Sequence, residues 1–155
     1  MRISAKVDYA VRACVELAQS FDQDAASPRT GEELGSAQQI PKKYLENILA
    51  ELRRAEIVRS QRGPVGGYWL ASAPHTITIA DVIRAVEGPL ADVRGVAPEE
   101  LRYEGPAKAL EQVWVATRAS LRLVLEGVTL ADIMNDSLPD NLQLLLESPG
   151  AWERR

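Results

Sequence analysis

The sequence of 155 residues contains one cysteine, Cys14, and one histidine, His75. A single cysteine cannot form an internal disulfide or a CxxC metal site. The two residues lie in unrelated segments and the carboxylates are scattered over polar positions, so no set of nucleophile, base and acid is visible. These absences argue against a disulfide-stabilised protein and against an enzyme.

Long apolar runs are absent as well. No stretch approaches the roughly 18 residues that a membrane-spanning helix needs. Asp8, Arg12 and Glu16 interrupt the N-terminal segment, which therefore does not resemble a signal peptide. Hydrophobic residues still make up 46% of the chain, which is enough for a folded core. We therefore expect a cytoplasmic protein with no membrane partner.

Acidic residues outnumber basic ones, and the net charge of −4 disfavours nucleic acid as a partner until the charges are located. Residues 1–13, with three basic residues and one acidic, carry +2, and residues 41–62, with six basic and three acidic, carry +3. The remainder of the chain must then carry −9. This asymmetry predicts a basic face on an acidic protein, although an unevenly charged solvated surface would have the same composition.

The first half of the chain has the pattern of a helix-turn-helix. One helix is predicted over residues 4–20 with Ser4 as its N-cap, and a capping box of Thr30 and Glu33 opens a second over residues 30–38. Pro41 begins a third helix that runs to about residue 55. The predicted buried stripe of this third helix comprises Tyr44, Leu45, Ile48, Leu49 and Leu52. Two helices joined by a short turn within residues 30–55 are typical of a helix-turn-helix.

Glycine is concentrated in one loop, RGPVGG, which joins two predicted strands at residues 57–61 and 68–71. A hairpin directly after a helix-turn-helix is a wing, although an ordinary hairpin turn has the same local pattern. Glycine permits a close approach of the backbone to another surface, and Pro64 limits the freedom of the loop. We therefore predict that the glycines let this wing lie against DNA.

Helices are predicted in the second half of the chain too. Thr78 and Asp81 cap a helix that ends at Gly88, whereas residues 90–105 have little periodicity. Further short helices are predicted after residue 129 and over residues 139–147. The fold class is therefore mainly α with a small β-hairpin.

The longest helix is predicted to begin at Pro106 and to end at Gly127. Its apolar positions are spaced by four and three residues, as in a heptad seam. The predicted seam comprises Leu110, Trp114, Thr117, Leu121, Val124 and Val128. A small domain cannot easily cover such a stripe, so a symmetric dimer is favoured over packing against the same chain.

The chain resembles the Rrf-two family of bacterial transcription regulators, whose members include IscR, NsrR and CymR. Three blocks in residues 1 to about 134 carry the resemblance: MRISAKVDYAVRA, IPKKYLENILAELRRAEIVRSQRGPVGGYWLA and ITIADVIRAVEGPLA. The resemblance implies a winged helix-turn-helix domain at 1–88 and an irregular sensor or connecting loop at 89–105. Residues 106–147 would then hold the dimerisation helix, which crosses its counterpart in a homodimer, and the short C-terminal helices.

Sensing members of this family hold an iron–sulfur cluster with three cysteines in the loop before the long helix. That loop has no cysteine here, and cluster ligation needs converging thiolates. Cys14 falls on the apolar stripe of the first helix, where a thiol behaves as a small hydrophobe. The chain thus resembles the cluster-free branch, with no cofactor expected. That branch controls sulfur and cysteine metabolism, and the resemblance implies a response to a metabolite or to a partner enzyme such as cysteine synthase.

The resemblance also implies a palindromic operator in double-stranded DNA and, by family habit, repression. The helix from Pro41 would enter the major groove, with Lys43, Glu46 and Asn47 reading bases. An ion pair with Lys42 at i,i+4 is the alternative role of Glu46. Arg62 would reach the minor groove. The residues predicted to contact DNA are Arg2, Ser4, Lys6, Lys42, Lys43, Tyr44, Glu46, Asn47, Arg59, Ser60, Arg62, Gly63, Gly66 and Gly67.

Two other functions remain open from the sequence. One is a redox or metal sensor with atypical ligands, and the other is a protein-interaction regulator that acts only through a metabolic enzyme. The loop at 90–105, together with Trp69 and Trp114, is a candidate for a small effector pocket.

Overall fold

A computed structural model describes residues 2–22 and 27–153. Within these ranges the chain forms seven α-helices and one antiparallel hairpin of two strands, which confirms the predicted fold class. The elements are α1 (Ala5–Ala18), α2 (Gly31–Gln38), α3 (Lys42–Arg54), β1 (Val58–Gln61), β2 (Gly67–Leu70), α4 (Ile79–Glu87), α5 (Leu110–Leu125), α6 (Leu130–Met134) and α7 (Asp140–Leu146). None of the described helices has the length and apolar character that crossing a bilayer requires.

Side-chain caps begin most of the predicted helices. Ser4 Oγ accepts from the Val7 N–H at the start of α1. Thr30 with Glu33 forms a capping box at α2, as predicted, and the backbone and hydroxyl of Thr30 hold the pKa of Glu33 below its usual value. Two further capping boxes open α4 and α6. These caps satisfy N–H groups that have no partner inside a helix, and they fix the starting points of the elements.

The helix-turn-helix is built around the apolar face of α3. Leu45, Ile48, Leu49 and Leu52 are buried in the core that α1 and α2 also line. Tyr44 was predicted to belong to this stripe, and that prediction is wrong because its side chain is 58% exposed. Tyr44 lies one position off the stripe, and its ring makes a T-shaped contact with the ring of Tyr9, with the ring centroids 6.1 Å apart.

A buried carboxylate joins α1 to the helix-turn-helix. Glu16 is 8% exposed, and its two oxygens accept from Arg29 at 3.3 Å and from Gln38 at 2.8 Å. A buried charge is tolerated only when it is paired and hydrogen-bonded, which is the case here. The interaction fixes both ends of the α2 segment to α1.

The chain returns to this core after α5. The Ile79 N–H donates to Val128 O and the Leu130 N–H donates to Ile77 O, each at 3.0 Å. Leu130 is fully buried, and α6 packs against α1. Val128 was predicted to continue the seam of the long helix; this is wrong, because Val128 lies beyond the end of α5 and is buried in the core.

The longest helix begins later than predicted. Pro106 lies in a separate 3-10 turn, Gly105–Ala107, and α5 starts at Leu110. The preceding loop is not irregular throughout, because Val93 and Val96 pair around a tight turn and a second 3-10 turn covers Pro98–Glu100. Helix α5 packs mainly against that turn and against α4.

A groove of about 820 Å³ lies between α5 and the first part of the chain. Four of the predicted seam residues, Trp114, Thr117, Leu121 and Val124, line it from α5, opposite Val7 and Ile83. The predicted seam therefore faces its own chain. Trp114 lines this groove together with residues 89–94 of the loop, whereas Trp69 lies on β2 and does not line it.

Candidate nucleic-acid interface

The start of α3 presents polar side chains to solvent. Lys42, Lys43, Glu46 and Asn47 are all exposed, on the opposite face from the buried leucines. Neither lysine has a carboxylate within 4.0 Å among the described residues, so Glu46 does not form the i,i+4 ion pair that the sequence left open. The helix thus offers donors and acceptors that no group in the described residues occupies, which recognition of base edges requires.

The basic side chains of the segment at residues 41–62 have no acidic partners in the described part of the chain. None of these six side chains makes an ion pair with another described residue: Lys42, Lys43, Arg53, Arg54, Arg59 and Arg62. In the C-terminal half, by contrast, four of the six described basic residues pair with a carboxylate: Arg84, Arg102, Arg118 and Arg122. One acidic residue of the segment, Glu51, is itself neutralised by Lys6 at 2.7 Å. Positive charge without internal partners is the electrostatic footprint of a phosphate-binding surface.

The hairpin after α3 is held by its own strands and by a third segment. Val58 pairs with Leu70 and both are buried, while Arg62 is exposed in the turn. Arg29 pairs with Tyr68 through two backbone hydrogen bonds of 2.9 and 2.8 Å. This third segment could not be predicted from the sequence, because a single bridging residue has no periodicity.

Two glycines of the turn are required by the protein's own backbone. A Cβ at Gly66 would lie 2.4 Å from the carbonyl oxygen of Gln61, and one at Gly67 would lie 2.6 Å from that of Arg29. Gly63 differs from these two: its φ is 112°, and a Cβ there would meet no atom of the described chain within 4 Å. The close approach predicted for Gly66 and Gly67 thus includes an intramolecular one.

Of the predicted contacts near the N-terminus, two have partners inside the protein. Ser4 caps α1 and also donates to Glu87, and Lys6 donates to the carbonyl of Val86 besides pairing with Glu51. Arg2 is exposed and forms no ion pair within the described residues. Ser60 accepts a hydrogen bond of 3.4 Å from Arg53, which connects the end of α3 with β1.

Sequence reasoning missed several polar residues beside this surface. Gln39 is exposed in the turn between α2 and α3, with a φ of 53°. Ser36 precedes it on the exposed side of α2, and Arg53 and Arg54 follow at the end of α3. The sequence signal that could have identified these residues is their position within or beside the predicted helix-turn-helix.

A second apolar stripe lies on the outer face of α5. Val113, Ala116, Ser120 and Leu123 are spaced by three, four and three residues, and all are exposed. Leu123 is 62% and Val113 51% exposed. This spacing is the same as that of the predicted seam, so the sequence alone could not decide which stripe the chain covers.

Comparison with known proteins agrees with this geometry. The family described as "Rrf2: Iron-dependent Transcriptional regulator" matches residues 3–136. The chain belongs to the Rrf2 (Rrf-two) family. A protein of Mycobacterium tuberculosis strain H37Rv, Rv1287, proposed to be an HTH-type transcriptional regulator, is 46% identical over 153 residues, which are 99% of this chain and 93% of that protein. The HTH-type transcriptional regulator CymR of Bacillus subtilis is 35% identical over 133 residues, 86% of this chain and 89% of CymR.

Solved structures of Rrf2 proteins share the fold. The structure of CymR, called the global cysteine regulator of B. subtilis, has a TM-score of 0.71 with 34% identity and covers 88% of this chain and 98% of its own. IscR of T. potens has a TM-score of 0.70 with 33% identity and covers 88% of each chain. The described chain is thus a winged helix-turn-helix transcriptional regulator of the Rrf2 and CymR type.

The family description mentions iron, but the described residues contain no set of side chains suited to bind it. The loop that precedes α5 contains no cysteine, and no cluster of three histidine, cysteine or acidic side chains suited to a metal occurs among the described residues. Cys14 is fully buried in the core, and burial raises its pKa to about 12. A thiol in this state is neither a nucleophile nor a metal ligand, because both roles need the thiolate. The residues present do not fit an iron–sulfur cluster.

The native protein is therefore expected to resist thiol reagents. At about pH 8 an exposed cysteine is partly thiolate and reacts readily with an aromatic disulfide reagent, whereas Cys14 should react only as the chain unfolds. The thiolate stays disfavoured until the pH approaches the raised pKa of about 12. Absorbance of the released thiolate, measured with and without denaturant, checks this, and rapid stoichiometric labelling of the folded protein would contradict it.

Proposed function

We propose that this Rrf2 regulator binds a palindromic operator in double-stranded DNA as a homodimer and represses transcription in the cytoplasm. The observation that carries the proposal is the set of six basic side chains at 41–62 that have no carboxylate partner among the described residues. When such side chains bind phosphates, they release counterions from the DNA. This release provides a large share of the affinity of a DNA-binding regulator for DNA.

In this proposal α3 lies in the major groove with its first turn leading. Lys43, Glu46 and Asn47 read base edges: lysine donates to guanine, a carboxylate accepts from cytosine N4, and an amide can pair with adenine. Lys42 and the exposed hydroxyl of Tyr44 contact phosphates. The support for these roles is the exposure of the side chains on one helix and the absence of an ion pair for Glu46 in the described chain.

The remaining contacts position the duplex. Arg62 enters the minor groove, where narrow A·T tracts attract a guanidinium, and Gly63 allows the backbone of the wing to lie close to the DNA. Arg59 and Arg2 bind phosphates, because both are exposed without an ion pair in the described residues. Ser60, Ser4 and Lys6 act through their internal hydrogen bonds and ion pair, which hold α1 and β1 against their neighbours.

Dimerisation in this proposal involves α5. Its outer stripe exposes Val113 and Leu123 to a second copy, whereas its inner stripe lines the groove against its own chain. An isologous contact along α5 would repeat the two reading helices with twofold symmetry. Half-sites would then be separated by about 34–36 Å or a multiple of that distance.

The regulator acts without an iron–sulfur cluster, because Cys14 is buried and the loop before α5 has no cysteine. Likeness to CymR, the global cysteine regulator of B. subtilis, supports control of sulfur and cysteine metabolism. The signal would be a metabolite or a partner enzyme such as cysteine synthase. The groove beside Trp114 and residues 89–94 is the candidate place for an effector.

The Arg62→Ala variant tests the proposed DNA interface. We expect operator binding to weaken by about 1–3 kcal/mol and the slope of log K against log salt to become shallower by about one. The operator is obtained by sequencing genomic fragments that the purified full-length protein retains, and affinities are measured by fluorescence anisotropy over a salt series.

Lys108→Ala is the matched control for this experiment. Lys108 is also exposed and without an ion pair in the described chain, but it precedes α5 and lies outside the basic segment. It should leave both affinity and salt slope unchanged. Equal effects of the two substitutions would mean that net charge alone, and no defined surface at 41–62, holds the DNA.

A further inference from the structure

The tip of the wing exposes an apolar side chain that the fold does not use. Val65 is 78% exposed in the turn between β1 and β2. Two other exposed apolar residues adjoin apolar surfaces: Ile3 lines the groove beside α5, and Leu123 belongs to the outer stripe of α5. Val65 instead stands between Pro64 and Gly66, close in sequence to the exposed Arg62. Leaving it in water contributes nothing to folding, since apolar groups stabilise only when buried.

The turn that carries Val65 is closed by a backbone hydrogen bond. The Gly66 N–H donates to Gly63 O at 3.0 Å, and the backbone closes so tightly that a Cβ at Gly66 would lie 2.4 Å from Gln61 O. The proline ring fixes φ at Pro64, and a β-branched side chain such as Val65 has little freedom about χ1. An apolar group held in this way loses little conformational entropy when it enters a binding site.

We propose that Pro64 and Val65 form an apolar wedge that the wing inserts into the minor groove beside Arg62, opening a base step and bending the operator. This inference rests on the proposed function and adds a source of specificity to it. Apolar side chains in the minor groove contact the sugar walls and base edges and partly unstack a step. Pyrimidine–purine steps deform most easily, so the wedge would select such a step at the position of the wing without hydrogen-bonding to it.

The test compares Val65→Ser with Val65→Ile on the operator. Removing two methyl groups from a buried contact corresponds to about a tenfold loss of affinity, and we expect Val65→Ser to show this loss, whereas Val65→Ile should retain wild-type affinity. Because no charge is removed, the salt slope should stay unchanged in both, in contrast to Arg62→Ala. Both variants should melt like the wild type, since the side chain is exposed.

DNA shape provides the second readout. Fluorescence energy transfer between the operator ends should report a bend of about 20–90° per wing with the wild type and a smaller one with Val65→Ser. Replacing the pyrimidine–purine step under the wing should weaken the wild type and have no effect on Val65→Ser.

The outcomes separate this inference from the proposed function. If Val65→Ser binds and bends the operator like the wild type while Arg62→Ala binds weakly, the wedge is overturned and the DNA interface stands. A loss of affinity with an unchanged bend and unchanged step preference also overturns it. If neither substitution alters binding, the proposed interface itself fails.

Discussion

The Leu123→Glu variant is expected to be a folded monomer that binds its operator about 100- to 10,000-fold more weakly, the range by which two linked contacts exceed one. Leu123 is 62% exposed on α5, so a carboxylate there costs the single chain little. In a dimer that covers the outer stripe of α5, the same carboxylate would be buried without a partner, which is strongly unfavourable. Each monomer would then contact one half-site only.

Sedimentation equilibrium at several protein concentrations measures the first part of this prediction, and anisotropy on operator and half-site DNA measures the second. Leu144→Glu is the control, because Leu144 is 69% exposed on α7 and lies outside α5. The expected pattern is a monomer with equal affinity for both DNAs in Leu123→Glu, and an unchanged dimer in Leu144→Glu. A stable dimer of Leu123→Glu would show that the outer face of α5 is not the interface, and would leave the inner groove as its place.

Local chemistry explains which elements could be predicted from the sequence. The capping boxes at Thr30 and Thr78, the helix stop at Gly88 and the hairpin around Pro64 all depend on residues within a few positions of one another. Their hydrogen bonds form wherever the segment folds, so the boundaries agreed with the structure to within one or two residues. The helical part of the fold class followed from the same signals.

Packing between distant segments could not be predicted in this way. The long helix has two stripes with the same spacing, and only the position of α4 and of the 3-10 turn Pro98–Glu100 decides which one faces the chain. Val128 continues that spacing in sequence but is buried in the core, where its carbonyl oxygen accepts a hydrogen bond from the Ile79 N–H. The helical spacing predicts Tyr44 as part of the buried stripe of α3, yet its position on the helix leaves it in solvent.

The sequence predicts which residues of the candidate site are charged, but not which of them form ion pairs. Residue types alone identified the basic segment at 41–62. Whether a basic side chain forms an ion pair depends on carboxylates from other elements. Lys6, for example, pairs with Glu51, which lies 45 positions away in the sequence. Conversely, Glu46 has a lysine four residues before it and does not use it, since no ion pair between them forms among the described residues. Ion pairs on a solvated helix are worth little, so spacing alone predicts them poorly.

The Gly67→Ala variant is expected to lose about 2–3 kcal/mol of the free energy of unfolding, from two backbone hydrogen bonds of about 1 kcal/mol each and the accompanying strain. Gly67 has a φ of 157°, and a Cβ there would lie 2.6 Å from the carbonyl oxygen of Arg29. We expect the clash to be relieved by separating Arg29 from Tyr68, which would break the hydrogen bonds of 2.9 and 2.8 Å between them. Denaturant unfolding followed by circular dichroism measures the loss.

Gly31→Ala is the matched control, since a Cβ there meets only Leu49 Cδ1 at an ordinary 3.9 Å and alanine favours the helix that Gly31 begins. It should leave stability unchanged or slightly increased. The bridge that Gly67→Ala breaks also has a second role, because Arg29 donates to the buried Glu16 at 3.3 Å. Separating Arg29 from the wing would therefore disturb the tie between α1 and α2, and operator affinity should fall together with stability. A variant that unfolds more easily but binds the operator normally at low temperature would show that the wing and the helix-turn-helix are positioned independently of the bridge between Arg29 and Tyr68.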